Sequence, residues 1–377
     1  MPKETSRPGT SRFPCGKCGA LQTYAPGSGA LECPYCGFEN EIEASDAAIV
    51  EYNFREALER LSSAPPADTL QTSQCENCAA VFNLEKNVHS GECPFCGTPV
   101  VKGTGINRHI KPESLLPFAL DENTAKKRFR QWIGKLWFAP GKIQKFARED
   151  TGMTGVYVPY WTYDSHTASS YSGQRGDAYY VQQRYTVMVD GRPRTRTRTV
   201  RKVRWTPVRG RVARAFDDVL VGASRSLPRT ITERIAPWDL ENLVPYDPKF
   251  LSGFRSEVYQ VGLDEGFETA VNIMDRVIRQ DVARDIGGDH QRIHRVDTRH
   301  SDTTYKHLLL PVWSAAFRFR DKSYRFVVNG RTGKVQGERP YSVAKIAAAV
   351  VGGAAALAIL LFVMHETGAL EEIMRSL

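Results

Sequence analysis

Val187-Met188-Val189-Asp190-Gly191-Arg192-Pro193-Arg194-Thr195-Arg196-Thr197-Arg198 is the stretch on which the architecture turns. Asp-Gly between two runs of β-branched, aromatic and threonine residues is a two-residue hairpin signal, because such turns need positive φ at their central positions. The flank Tyr179–Val189 and the flank carrying the arginines therefore read as antiparallel strands. Side chains alternate along a strand, so Arg192, Arg194, Arg196, Arg198, Lys202 and Arg204 share one face, opposite Thr195, Thr197, Thr199, Val203 and Trp205. Fully extended, that cationic stripe runs for about 40 Å. Whether Tyr185, Val187 and Val189 lie on the same face depends on the turn register.

Outward from this hairpin, Gly155–Trp161 and Leu308–Trp313 read as strands, and Val158-Pro159-Tyr160-Trp161 is echoed by Leu310-Pro311-Val312-Trp313. Asp121 is placed to cap a helix whose Phe129, Trp132, Ile133, Leu136 and Trp137 follow helical spacing, with Lys126, Lys127, Arg130 and Lys135 opposite. That helix reads as a core helix with a solvated basic face, or as one lying on a membrane surface. A second helix is expected over Gly266–Ala283, with Phe267, Val271, Met274, Val277, Ile278 and Val282 on one side. Ser323–Val335 reads as a hairpin turning at Asn329-Gly330. Trp161, Trp205 and Trp313 suit a core. This order predicts an α+β body around an antiparallel sheet, residues 103–342.

The eight cysteines form an internal repeat. Cys15 and Cys18 precede Cys33 and Cys36, and Cys75 and Cys78 precede Cys93 and Cys96, with fourteen residues between the pairs in each copy. Two residues between cysteines let a tight knuckle aim both thiolates at one ion, and the intervening hairpin brings the knuckles together. The spacing predicts two structural four-cysteine zinc ribbons, at 13–43 and 73–102, holding two Zn2+; iron or a redox pair is the alternative. Four protein ligands leave no position for a reacting water, so the sites are structural. Ser45 or Asp46 can cap a helix running to about Leu61, and 45–72 as a whole reads as helix and linker, letting the ribbons move semi-independently. Glu32, Glu39, Glu41 and Glu43 against Lys17 make ribbon 1 acidic, which favours a protein partner over a phosphate backbone.

Ile346–Met364 is a nineteen-residue run without a charge. At 1.5 Å per residue it spans about 28 Å, close to the hydrocarbon thickness of a bilayer. Arg331, Lys334, Arg339 and Lys345 precede it against Glu338, and the tail 365–377 carries Glu366, Glu371 and Glu372 against Arg375. The excess of cations places the bulk of the chain on the cytoplasmic side of a single-pass cell (inner) membrane anchor. A buried core helix is the alternative. Met1–Ser11 has no apolar segment, so no secretory signal is expected and the cysteines belong to a reducing compartment.

Of 377 residues, 41% are hydrophobic and 25% charged, the balance of a globular protein. The net charge of +9 is concentrated: Arg192–Arg214 holds nine arginines, one lysine and no acid. That basic stretch fits nucleic acid, anionic lipid headgroups, or a solvated strand face that discourages edge pairing. No phosphate-cradling Gly-x-x-x-x-Gly-Lys-Ser/Thr loop, nucleophile elbow or His-Glu-x-x-His occurs. His290 and His294, with His300 and Asp289, are a candidate accessory metal site beside the plainer reading of a polar loop.

The cysteine pairs, Val158-Pro159-Tyr160-Trp161, Arg204-Trp205, Phe216–Val221, Phe250–Tyr259, Leu310–Trp313 and Val328–Val335 together resemble a bacterial family of membrane-anchored double zinc-ribbon proteins. Its members are often labelled primosomal protein N′ (replication factor Y)-like or superfamily II helicase. The resemblance implies a role at the inner face of the cell membrane beside phage-shock-type and SPFH (flotillin-like) proteins. Helicase activity is not expected, for want of the phosphate loop. The expectation is a non-enzymatic, tail-anchored adaptor that recruits protein partners and takes no small-molecule substrate. The alternative is a replication-related nucleic-acid-binding protein using the Arg192–Arg214 stripe.

Overall fold

A computed structural model describes residues 13–43, 45, 47–63, 72–74, 80–83, 90–92, 99–101, 110–141, 152–189, 192–319, 322–338 and 341–366. The elements in chain order are β1 (Thr23–Ala25), β2 (Ala30–Glu32), β3 (Glu39–Glu41), β4 (Tyr52–Asn53), α1 (Phe54–Ser63), β5 (Thr72–Gln74), β6 (Val81–Asn83), β7 (Ser90–Glu92), β8 (Pro99–Val101), β9 (Ser114–Leu115), α2 (Glu122–Gly134) and β10 (Thr154–Val189). Then come β11 (Arg192–Gly222), α3 (Arg229–Arg234), β12 (Val244–Pro245), β13 (Arg255–Ser256), α4 (Leu263–Ile286), β14 (His290–Phe319), β15 (Lys322–Asn329), β16 (Val335–Gly337) and α5 (Val343–Glu366).

The expected α+β body is present, and its antiparallel sheet runs in the order β11-β10-β14-β15-β16. Short strands β4, β9, β12 and β13 pair around its margins. The two echoed segments are neighbours in it, with Val158 opposite Leu310 and Trp161 opposite His307. What the sequence did not suggest is length. β10 runs for 36 residues and β11 for 31, where strands usually have 3–10.

At its first end β10 is buried on both faces, which is why Val156–Trp161 reads as a nearly continuous apolar run. Val156, Val158 and Tyr160 meet Leu227, Ile231 and Ile235 of the α3 region on one face. On the other, Tyr157 and Trp313 meet Phe129 and Ile133 of α2, with Phe118 and Phe326. Asp121 caps α2 as expected, accepting a bond from the Thr124 amide at 3.0 Å. Farther along, α4 covers the second face. Gly266, Ala270, Met274, Ile278, Val282 and Ile286 of α4 are buried at intervals of four. A four-residue interval outruns the 3.6-residue turn, so the buried seam winds around α4 as it follows a twisted sheet. Val271 and Val277 flank that seam rather than forming it. Gly287 and Gly288 both take positive φ, which lets α4 turn directly into β14.

Beyond Gly176, paired with His290 at the start of β14, the strands β10 and β11 continue alone. The two form an arm that ends with Val189 opposite Arg192. That register agrees with a two-residue turn, although Asp190 and Gly191 themselves lie outside the described residues.

Several expectations are corrected. The helix expected from Ser45 begins instead at Phe54, because Tyr52 and Asn53 pair with Tyr305 and Thr304 of β14. The Asn53 side chain then caps it, accepting from the Arg55 and Glu56 amides at 3.0 and 3.1 Å. Ribbon 1 is not semi-independent. Tyr24 packs against Phe250 with ring centroids 5.2 Å apart, its amide donates to Ser252 at 2.9 Å, and Leu31 joins the same core. The turn near Asn329 is longer than two residues, since Val328 pairs with Val335. There the Asn329 carboxamide accepts the Arg331 and Thr332 amides, while Arg331 forks onto Asp239. Trp161 and Trp313 are core residues, but Trp205 is half-exposed on the arm.

One buried group gives the fold a pH dependence. Glu257 is enclosed, and its Oε1 accepts from Ser224 Oγ and Gln260 Nε2, both at 2.8 Å, and from Ser226 Oγ, while Oε2 has no hydrogen-bond partner among the described residues. Burial pushes its carboxyl up to about 8, against the hydroxyls that favour the anion. Between the ordinary carboxylate range and pH 8 the native state holds a proton that the unfolded chain releases, so stability falls as pH rises through this window. Thermal melts of the detergent-solubilised chain between pH 5 and 9 are expected to show this decline. Glu257→Gln should flatten it, and a variant with an unchanged slope would exclude Glu257 as the source.

Candidate metal centre and cationic arm

Ribbon 1 brings its four cysteines together as the spacing requires. The Cys15 and Cys36 sulfurs are 3.6 Å apart, those of Cys18 and Cys33 3.5 Å, and all four lie within 4.8 Å of one another. A tetrahedral ion with metal–sulfur bonds of about 2.3 Å, the zinc value, needs sulfurs about 3.8 Å apart. The four thiols are therefore placed to hold one metal ion. Each knuckle is closed by a glycine at positive φ. Gly19 donates to the Cys15 carbonyl at 2.8 Å and Gly37 to that of Cys33 at 2.9 Å.

Behind the sulfurs, the buried Gln22 ties the two halves of the ribbon. Its amide donates to the carbonyls of Leu31 and Phe38 and accepts from Asn40 at 2.7 Å. Cys15 and Cys33 are buried, and Cys18 and Cys36 face solvent. The other predicted ligands, Cys75, Cys78, Cys93 and Cys96, lie outside the described residues.

The histidine site is corrected. His290, His294 and His300 sit along β14, not in a loop, so His290 and His300 are about 33 Å apart along the strand. His300 is drawn to Ser165 at 3.4 Å and His290 to Arg201 at 3.4 Å, while Asp289 accepts from the Ala178 amide. Another acidic group, Glu51, Asp164 and Asp217, converges where the N-terminal segment meets the sheet. Its cation is already supplied by the protein. Lys306 Nζ lies 2.9 Å from Glu51 and 2.7 Å from Asp218. Burial works against the Lys306 ammonium, but those carboxylates outweigh it and hold its pKa above the ordinary value. Burial raises Asp164 to about 6 despite its bond from the Asp218 amide.

The register now fixes the faces of the arm. Arg192, Arg194, Arg196, Arg198, Lys202 and Arg204 are exposed and stand opposite Val189, Val187, Tyr185, Gln183, Tyr179 and Asp177. The cationic stripe thus shares its face with Tyr179 and Tyr185. Arg204 lies over the Tyr179 ring and Arg198 over that of Tyr185, both at 5.4 Å, and Arg198 also bonds Gln183 at 3.1 and 3.3 Å. Arg214, at the other end of the basic stretch, belongs to the body. It pairs with Asp281 of α4 through two bonds of 2.6 and 2.9 Å, which hold the Asp281 carboxyl below its usual range.

A second basic surface was missed. Arg209 and Arg211 of β11 and Arg295 and Arg299 of β14 flank the small Ala168, Ser170 and Ser172 of β10, with Asp297 among them. Nearer the arm, Arg292 stacks on Trp205 with its guanidinium carbon 3.9 Å from the ring centre. The opposite parity of Arg209 and Arg211 was visible in the sequence, but their grouping with β14 depends on tertiary register.

α5 is long and apolar enough to cross a membrane. Lys345–Met364 has a mean hydropathy of 2.6, and none of it is buried among the described residues. A core helix would be buried, and among the described residues nothing buries this one.

No protein-family profile matches the chain, and no solved structure matches it. It is similar, at 24% identity over 346 residues, to the uncharacterized protein YdjG of Bacillus subtilis (strain 168). The alignment covers 89% of this chain and 92% of that protein, so the likeness concerns the whole arrangement rather than one module.

Because Tyr24 and Leu31 lend ribbon 1 to the body's core, losing the metal should be felt beyond the ribbon. Cys33→Ser is expected to lower the bound metal by one equivalent per chain, measured by elemental analysis, and to lower the melting temperature. Unchanged metal content would exclude the tetrad as a site.

Proposed function

We propose that the chain is a non-enzymatic adaptor held in the cell membrane by α5, with its bulk in the cytoplasm and its ribbons receiving protein partners. The observation that carries this reading is α5 itself: it contains the charge-free run Ile346–Met364, unburied, following a cationic approach and joined to a body with a four-thiol cradle. The uneven flanks support the orientation. Four cysteine sulfurs within 4.8 Å of one another favour zinc, and a closed thiolate set favours a structural role. The matching spacing of Cys75, Cys78, Cys93 and Cys96 supports a second zinc. The acidic surface of ribbon 1 favours a protein partner over a polyanion. By resemblance, that partner is a phage-shock-type or SPFH protein.

Fractionation tests the anchor. Full-length chain should resist extraction by alkaline carbonate, and a chain ending at Ser342 should move to the soluble fraction. Co-purification from solubilised membranes tests recruitment: Cys15→Ser with Cys18→Ser is expected to lose a subset of partners, and identical partner lists would sink the adaptor reading.

A second reading is favoured by the arm. A two-stranded β-ribbon is of a size to enter a DNA major groove, and beyond Gly176 the arm is two-stranded with its cations exposed. The logarithm of the nucleic-acid binding constant should then fall linearly with the logarithm of salt concentration. Arg194→Gln with Arg196→Gln should reduce that slope by about two. Absence of binding at low salt would remove this reading, which carries no helicase activity with it.

A further inference from the structure

The segment that follows α2 is joined to the start of α5. The Ser342 amide donates to the Phe138 carbonyl at 2.8 Å, and Lys345 Nζ reaches the carbonyls of Ala139 at 2.8 Å and Trp137 at 3.2 Å. Ser342 also begins α5, its carbonyl accepting the Ile346 amide at 3.0 Å. These bonds hold residues 136–140 level with the first turn of the apolar helix. At that level the aromatic side chains face outward. Trp137 is 78% exposed, Phe138 39% and Tyr341 64%, although Phe129 and Ile133 of the same α2 unit are buried in the core.

Among the described residues, none buries Trp137 or Tyr341. At a bilayer surface their position has a physical meaning. Tryptophan and tyrosine favour the headgroup region, where an apolar ring meets lipid and its polar edge meets water. The charges agree. α2 begins at Glu122, which pairs with Lys126, while Lys127, Arg130 and Lys135 lie exposed toward the end that meets α5. Cations there complement the anionic lipids of a cytoplasmic leaflet.

We infer that residues 136–140 form an interfacial elbow that seats Trp137 in the headgroup region of an anionic bilayer, fixing the body against the membrane at the point where α5 enters. This rests on the membrane reading of α5. It makes the anchor a two-point attachment: one helix through the bilayer and one aromatic foot at its surface. A foot beside the helix limits the tilt and rotation that a single flexible connection would leave open.

The test uses the full chain reconstituted into vesicles of phosphatidylglycerol and phosphatidylcholine. The tryptophan emission of wild type minus that of Trp137→Phe isolates Trp137, and because this side chain is exposed the variant should keep the fold. The expected difference spectrum is blue-shifted from that of tryptophan in water. It should lose more intensity to lipids brominated near the headgroups than to lipids brominated at the acyl tips, and little to aqueous iodide. A water-like spectrum quenched by iodide and untouched by brominated lipids, in vesicles whose chain resists carbonate extraction, would overturn the elbow while leaving the anchor standing. Release of the wild-type chain by carbonate would overturn both.

Discussion

The hydrogen-bond ladder that β10 makes with β11 and β14 is the interaction on which the other parts depend. A single strand passes through three surroundings. From Val156 to Tyr160 it is packed on both faces, from Trp161 to Tyr171 α4 covers one face, and past Gly176 a single neighbour remains. Fixing each residue costs about 1–2 kcal/mol of conformational entropy. In the body, apolar burial offsets that cost. In the arm the offset comes from the ladder, from guanidinium–tyrosine contacts and from the pairing of Val181 with Val200. An isolated two-stranded hairpin is marginal in water, so the arm draws its order from the body that continues it.

Local chemistry explains what was legible in the sequence. The knuckle spacing of ribbon 1, the capping Asp121, the apolar face of α4 and the charge-free run Ile346–Met364 of α5 are patterns written within a few turns of chain. They appear where they were expected. The reach of β10 and β11 was hidden because Ser165–Asp177 lacks the β-branched richness of a strand, containing Ser169, Ser170, Ser172, Gly173 and Gly176. Tertiary partners hold that stretch in the sheet: α4 on one side and β14 along its edge. The start of α1 was misplaced for a related reason, since Tyr52 and Asn53 obey a distant strand rather than local helix propensity. The second arginine surface is assembled from residues about eighty positions apart, and no periodicity reports that.

The cradle of ribbon 1 and the body share a seam. Gln22 binds the knuckles to each other through its side chain, and its carbonyl accepts Ser252 Oγ at 2.6 Å. Tyr24, two residues later, enters the body's core. The cysteine cradle and the packing of the body are thus tied together by two residues, Gln22 and Tyr24, only two positions apart. A metal held by the four cysteines would therefore brace the body's core as well as the ribbon. The charge of the protein is likewise divided by purpose. Arg214 is spent inside the body on Asp281, Lys306 neutralises a carboxylate cluster, and the cations of the arm remain at its surface.

The two-stranded construction of the arm has a geometrical consequence. Strand pairs twist right-handedly, and two-stranded ribbons do so more strongly than wide sheets. A row of residues of one parity, such as Arg192 to Arg204, therefore follows a helical path around the ribbon axis instead of a straight line. A plane touches a helical path only where the path comes round to meet it, so a flat bilayer engages some of these cations while others point away. A surface that is itself helical, with a comparable pitch, can follow the whole row. The twist thus makes the curvature of the partner, and not its charge alone, the quantity that decides how many arginines can act at once.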